Sequence, residues 1–178
     1  MIKLRNVSRQ LLAVVLLLVA AVSTADERAG EIKAAFIYNF AKFVEWPANR
    51  FVSPDAPLYL CALDAATGNT PLDLLDGRVA QGRTIRMVQL DDLSGVGQCH
   101  ILYVPATTAA DRRVALLDVL ARQASLTISE DPTFIDHGGM VSLFIDNDRV
   151  RFSINLGLAQ AAGLKVSARM LQLAREVR

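Results

Sequence analysis

The chain has 178 residues, with 19 Lys and Arg against 18 Asp and Glu, and 52% of it is hydrophobic. That length fits one domain. The near balance of charge, +1 overall, gives no electrostatic basis for binding nucleic acid.

The first segment is set apart by its layout. Lys3, Arg5 and Arg9 precede an unbroken apolar run of 12 residues, Leu11 to Val22, and Ser23-Thr24-Ala25 then supplies small residues. A basic start, a short apolar centre and a small-residue end predict a secretory signal peptide over residues 1–25, cut after Ala25, with Ser23 as the alternative cut. The run is too short to cross a bilayer, which takes about 20 apolar residues. Residues 26–178 are then one exported, periplasmic domain without a membrane anchor, carrying 16 basic against 18 acidic residues, a net charge of −2. A domain of that size buries roughly 68–70% of its unfolded surface, enough for its own core.

Along the rest of the chain, Ile32, Phe36, Phe40, Phe43 and Val44 recur at helical spacing and predict an amphipathic helix over 30–46, stopped by Pro47. Leu58 to Leu63 reads as a buried strand. Thr70-Pro71 reads as the cap and first position of a short helix that Gly77 ends. Thr84–Leu90, His100–Val104 and Leu126–Ser129 read as further strands, with a helix capped by Thr107 or Thr108 and running to about Gln123 between the last two. Strands alternating with helical segments imply a parallel sheet with crossover helices. Met140–Ile145 and Val150–Ile154 flank a turn-rich Asp146-Asn147-Asp148-Arg149 and predict a β-hairpin. Asn155 and Ser167 are the caps of two final helices, divided at Gly163. The fold expected is α/β, an αβα sandwich with a mixed, mainly parallel sheet and a C-terminal hairpin plus helices.

The search for catalytic patterns finds no Gly-x-Ser-x-Gly elbow, no Gly-Lys-Ser/Thr phosphate loop and no His-Glu metalloprotease pair. Gly95-Val96-Gly97 lacks a third glycine and precedes a strand where a dinucleotide loop would open a helix. No enzyme, cofactor or metal is therefore expected. Cys61 and Cys99 are the only cysteines. In an oxidising compartment they join as a disulfide or remain two buried thiols, and Cys99 with His100 and His137 offers a sparse zinc set. A bond closing about 39 residues would stabilise the fold by roughly 4 kcal/mol.

Several residues are candidates for contact with a ligand or partner. Glu130 and Asp131 end a strand, where they either sit in solvent or face the crevice of the sheet. His137-Gly138-Gly139-Met140 is either a loop that needs flexible backbone or a close approach to a partner. Lys165, Arg169, Arg175 and Arg178 form a basic series near the end. The segment Ala34–Pro47 holds five aromatic residues, and Tyr38 and Trp46 fall off its helical stripe. They either fold back on the sheet or stand at the surface as contact residues. A pocket lined by such aromatics together with Glu130 or Arg169 would suit a small ligand.

The same segment, Lys33 to Pro47 (KAAFIYNFAKFVEWP), resembles the YfiR family of exported bacterial proteins. The similarity continues through Leu60-Cys61, Gly82-Arg83, Cys99 to Tyr103, Leu126 to Ser129, Gly138 to Met140, Val150 to Asn155 and Ala162 to Arg169. It covers about residues 31–176. The resemblance implies a periplasmic regulator that binds the periplasmic sensor domain of an inner-membrane diguanylate cyclase and restrains it, lowering cyclic di-GMP and biofilm formation. It also implies an α/β sandwich, a homodimer and a Cys61–Cys99 disulfide. The protein that gives the family its name has a further cysteine pair in its C-terminal half, which this chain lacks. The alternative expectation is a periplasmic small-ligand sensor.

Overall fold

A computed structural model describes residues 27–63, 70–120 and 123–178. The expected signal peptide, 1–25, lies outside the described residues. In chain order the elements are helix α1 (27–43), strands β1 (Val44–Glu45), β2 (Leu58–Leu63), β3 (Val79–Ala80), β4 (Arg83–Leu90) and β5 (Ile101–Val104), helix α2 (Ala110–Leu120), strands β6 (Leu126–Ser129), β7 (Val141–Asp146) and β8 (Arg149–Ile154), helix α3 (Leu156–Ala161), strand β9 (Lys165–Val166), helix α4 (Ala168–Leu171) and strand β10 (Glu176–Val177). Short 3-10 turns lie between several of them.

Eight strands form one sheet in the order β10-β8-β7-β6-β5-β2-β4-β3. The pairs from β4 through β7 are parallel, β7–β8 and β3–β4 are antiparallel, and β10 runs parallel to β8. The expected αβα sandwich with a mixed, mainly parallel sheet is therefore present. Side chains on a strand alternate between faces, and the strands use both. Leu58, Leu60 and Ala62 of β2, with Ile101 and Tyr103 of β5, join α1 in one core, whereas Cys61, Leu63, Leu102 and Val104 pack with Leu116 and Leu120 of α2 in the other. Burial on both faces explains why these strands read as continuous apolar runs.

The first helix differs in phase from its sequence reading. Its buried face is Ala34, Ile37, Phe40 and Ala41, continuing into Val44. Ile32 is 48% exposed, and Phe36 and Phe43 only flank the core. Small Ala34 and Ala41 share that face with the Phe40 ring, and the Phe36 and Phe43 rings lie to its sides. Phe40 meets Phe152 edge-on at 5.0 Å. The helix ends at residue 43, before Pro47. There Val44–Glu45 pairs antiparallel with Lys165–Val166, and Gln81 Nε2 donates to the carbonyls of Ala41 and Val44 at 2.7 and 2.6 Å. A side chain from 40 residues away thus satisfies the end of the helix.

Several local expectations hold. Asn147 and Asp148 both take positive φ, 49° and 58°, as a two-residue hairpin turn requires. Asn155 Oδ1 accepts the N–H of Leu158 and Ser167 Oγ that of Met170, each an N-cap, and Gly163 at φ 84° separates the two helices. Thr70 is not a cap. Pro71 precedes a 3-10 turn, Leu72–Leu75, and the Thr70 hydroxyl goes to Glu130 instead. Nor does Thr108 cap α2, since its hydroxyl has no hydrogen-bond partner.

In the loop before β7, Gly138 takes φ 90° to close the turn Phe134–His137. Gly139 lies against the Phe134 ring, where an added Cβ would stand 2.1 Å from Cδ1. Gly139→Ala is expected to lower stability by about 1–3 kcal/mol through overpacking. Gly97→Ala, whose Cβ meets nothing nearer than 3.7 Å, should be close to neutral. Thermal melts of the two variants check the contrast.

Candidate functional site

At the entry of β5 the two cysteines are joined. Cys61, in the middle of central β2, is bonded to Cys99 with a Cα separation of 5.7 Å, and both residues are 0% exposed. The alternatives of free thiols and of a zinc set with His100 and His137 are thereby removed.

A compact aromatic and cationic cluster surrounds this bond. Arg50 donates to the carbonyls of Cys99, Gly97 and Ala124 at 2.8, 3.1 and 3.2 Å. His100 donates its backbone N–H to Tyr59 O at 2.9 Å, and its Nδ1 accepts the Tyr59 N–H at 3.1 Å. Its carbonyl accepts the indole N–H of Trp46 at 3.0 Å. The imidazole stacks on Phe51, with centroids 4.4 Å apart, and the Tyr59 ring lies near it at 6.1 Å. Arg83 covers Phe51 at 3.6 Å. Burial, reinforced by the charges of Arg50 and Arg83, lowers the His100 pKa to about 4.

That depression sets a pH dependence. The unfolded chain takes up the imidazole proton near the ordinary value of about 6.5, and the folded chain only near 4. Stability is full above the first value and falls as pH drops through the window between them. The loss is expected to be on the order of 2–3 kcal/mol. Denaturant titrations at pH 7 and pH 4 should show this slope, and His100→Phe should flatten it.

A second polar cluster lies at the opposite end of the parallel strands. β4 flanks β2 on one side and β5 on the other, so the chain reverses its direction of travel across the sheet between β2 and β5. The carboxyl ends of strands at such a reversal form a crevice. Glu130, just after β6, sits there and accepts hydrogen bonds from Lys33 Nζ at 2.6 Å, from the Tyr103 hydroxyl at 2.7 Å and from Thr70 Oγ1. Lys33 is 7% exposed on the inner side of α1. Burial pushes the Glu130 carboxyl upward, but the bonds from Lys33, Thr70 and Tyr103 outweigh it and hold the group below the usual carboxylate range. Burial, then the neighbouring carboxylate, raises the Tyr103 phenol above its ordinary value. Glu130 is therefore a carboxylate committed to fastening α1 and the segment after β2 to the sheet.

The remaining candidates are scattered. Trp46 is 8% exposed and spends its N–H on His100, so it is part of the core and not a surface anchor. Tyr38 is half-buried, its hydroxyl on Val79 O at 2.8 Å and the Arg78 guanidinium 3.7 Å from its ring. His137 is exposed, with Nδ1 2.9 Å from Thr133 O. Gly138 and Gly139 serve the backbone turn described above. Met140 is buried, its N–H bonded to Thr127 Oγ1. Arg169 is exposed and lies 5.7 Å from the Phe43 ring. The basic series divides: Arg175 faces Asp146 at 3.7 Å, while Arg178 pairs with Glu176 and Asp136. Sequence reasoning passed over Lys33, Arg50, Thr70 and Tyr103. Lys33 alone gave a signal, a cation four residues before Ile37 on what proves to be the buried stripe.

These features define a disulfide-tied αβα domain whose central strands are buried on both faces. The sequence profile of the YfiR/HmsC-like family matches residues 30–175, and the chain belongs to that family. It is a family of periplasmic regulators, not of catalysts, and its members act with membrane diguanylate cyclases. No functionally curated protein matches the chain. Among solved structures, a conserved domain protein from Vibrio cholerae O1 biovar El Tor is similar at 11% identity and a TM-score of 0.48, over 67% of this chain and 54% of that one. The chain thus spans about half the length of that protein.

Removal of the disulfide by Cys61→Ser/Cys99→Ser is expected to cost about 4 kcal/mol, the loop-closure entropy returned to the unfolded chain. Urea unfolding of the variant beside the parent measures it.

Proposed function

We propose that this protein restrains a membrane-bound diguanylate cyclase by binding the cyclase's periplasmic sensor domain, and so lowers cyclic di-GMP and biofilm formation. The observation that carries this reading is membership of the YfiR/HmsC-like family over residues 30–175, nearly the whole of the domain. The signal-peptide layout of residues 1–25 and the disulfide both suit work outside the cytoplasm. Mechanistically, a regulator of this kind binds the inactive state of its partner more tightly than the active one and shifts the population by that difference. The disulfide keeps the binding domain rigid while it does so.

A second reading is a small-ligand sensor, favoured by a groove of about 650 Å³ lined by Pro132, Phe144, Ile145, Arg175 and Glu176. Glu130 and Arg169, the residues the sequence offered for such a pocket, do not line it.

Cellular cyclic di-GMP in a deletion strain is expected to rise several-fold over its parent and to return when the exported protein is restored. An unchanged level under biofilm-forming conditions would remove the cyclase reading and bring the ligand sensor forward.

A further inference from the structure

We infer that a row of alternating cations and aromatic rings at the C-terminal end of α1 is the surface on which this protein grips an acidic segment of its protein partner. The inference rests on the partner-binding role proposed above and adds its location and chemistry.

The row is continuous. The Arg78 guanidinium lies 3.7 Å from the Tyr38 ring centre. Lys42 Nζ stands between two rings, 5.5 Å from Tyr38 and 5.7 Å from Phe43. Arg169 lies 5.7 Å from the other end, the Phe43 ring. Three separate segments therefore meet in one line: α1, the stretch before β3, and α4. The β1–β9 pairing brings the last of these beside α1, and the Tyr38 hydroxyl bond to Val79 O fixes the first ring.

These cations have no counter-charge among the described residues, a state they share with Arg28, Arg149 and others, and what sets the three apart is that they lie along one row of rings. All three are exposed, and among the described residues none has a carboxylate oxygen within 4.0 Å. Lys33, Arg86, Arg113, Arg175 and Arg178 each have one. The negative end of the α1 dipole accounts for Lys42 alone, in its last turn. Arg78 and Arg169 come from elsewhere and crowd positive charge in a domain whose net charge after residue 25 is −2. Such a local field steers and selects an acidic surface.

The Tyr38 ring orders the Arg78 charge in advance. An arginine stacked on an aromatic face keeps the N–H donors at its edge free. A carboxylate arriving there meets a side chain already held, which lowers the entropic cost of binding. The occupant favoured is protein and not lipid. Tyr38 and Phe43 are half-buried against the core, which leaves less of each ring to insert into a membrane interface than a fully exposed aromatic would offer. A row of spaced cations matches carboxylates spaced along a peptide.

The test uses Lys42→Gln/Arg78→Gln/Arg169→Gln against a control that removes as many charges elsewhere, Arg28→Gln/Arg149→Gln/Arg151→Gln. Melting temperatures establish that both are folded. A charge-keeping Arg78→Lys/Arg169→Lys variant serves if the first is not. A fluorescent octa-glutamate peptide is expected to bind the parent and the control alike. It should bind the triple variant at least about ten-fold more weakly, with the difference fading as salt rises. No binding to the parent, or equal binding to all variants, would overturn the inference. So would equal or tighter capture of the parent through the same row by phosphatidylglycerol vesicles, which would make the surface a lipid site. In cells, the folded triple variant should raise cyclic di-GMP towards the deletion level. Full restraint by that variant would sink the surface while leaving the regulatory reading intact. A deletion without effect would sink the regulatory reading, and the peptide measurement would then decide the row alone.

Discussion

The fold depends on the junction between β2 and β5, where the sheet changes direction. β2 is central, hydrogen-bonded to β4 on one side and β5 on the other. Parallel neighbours cannot be joined by a tight turn, so this register has to be fixed by contacts far apart in sequence. The Cys61–Cys99 bond does it covalently, across 38 positions. The reciprocal backbone and ring bonds between His100 and Tyr59 extend the pairing one step beyond the strand. The carbonyls of Cys99 and His100 are then held by Arg50 and Trp46. With that junction locked, crossovers on the two faces can bury their cores against a sheet that does not slip.

Each end of the same junction uses polar groups differently. At the amino end, burial and two nearby arginines keep His100 neutral, so its ring works as a hydrogen-bond acceptor inside an aromatic stack. At the carboxyl end, three donors hold Glu130 ionised despite burial. A buried charge is costly unless its oxygens are filled, and Lys33, Thr70 and Tyr103 fill them. The outcome in both places is fastening: β2 to β5 at one end, α1 to β6 at the other. A crevice that in other α/β folds receives a ligand is occupied here by the chain's own side chains. The partner surface inferred above lies instead on the outer side of α1, where cations lie beside rings.

How much of this was legible follows the range of the interactions. β2, β5, β6 and the β7–β8 hairpin were readable because an apolar run or a turn of Asn147-Asp148 is a local property. The caps at Asn155 and Ser167 were readable for the same reason, as each bonds a backbone N–H three residues on. The phase of α1 was misread because large aromatic side chains weigh more than alanine on any hydrophobic scale. The face that meets the sheet nonetheless includes Ala34 and Ala41 beside Ile37 and Phe40. Trp46 stood open between core and surface until its N–H found a carbonyl 54 positions away.

The sequence by itself determined the fold class, the order of the main strands along the chain, the family and the only two cysteines that can pair. These are properties of composition, period and ordered blocks, each carried within a few residues. Only the tertiary structure decided that Lys33 meets Glu130 across 97 positions, that Gln81 ends α1, and that Arg78, Lys42 and Arg169 line up over Tyr38 and Phe43. No local pattern encodes such meetings. They arise from where the sheet sets its helices, and the position of every strand is settled by its neighbours.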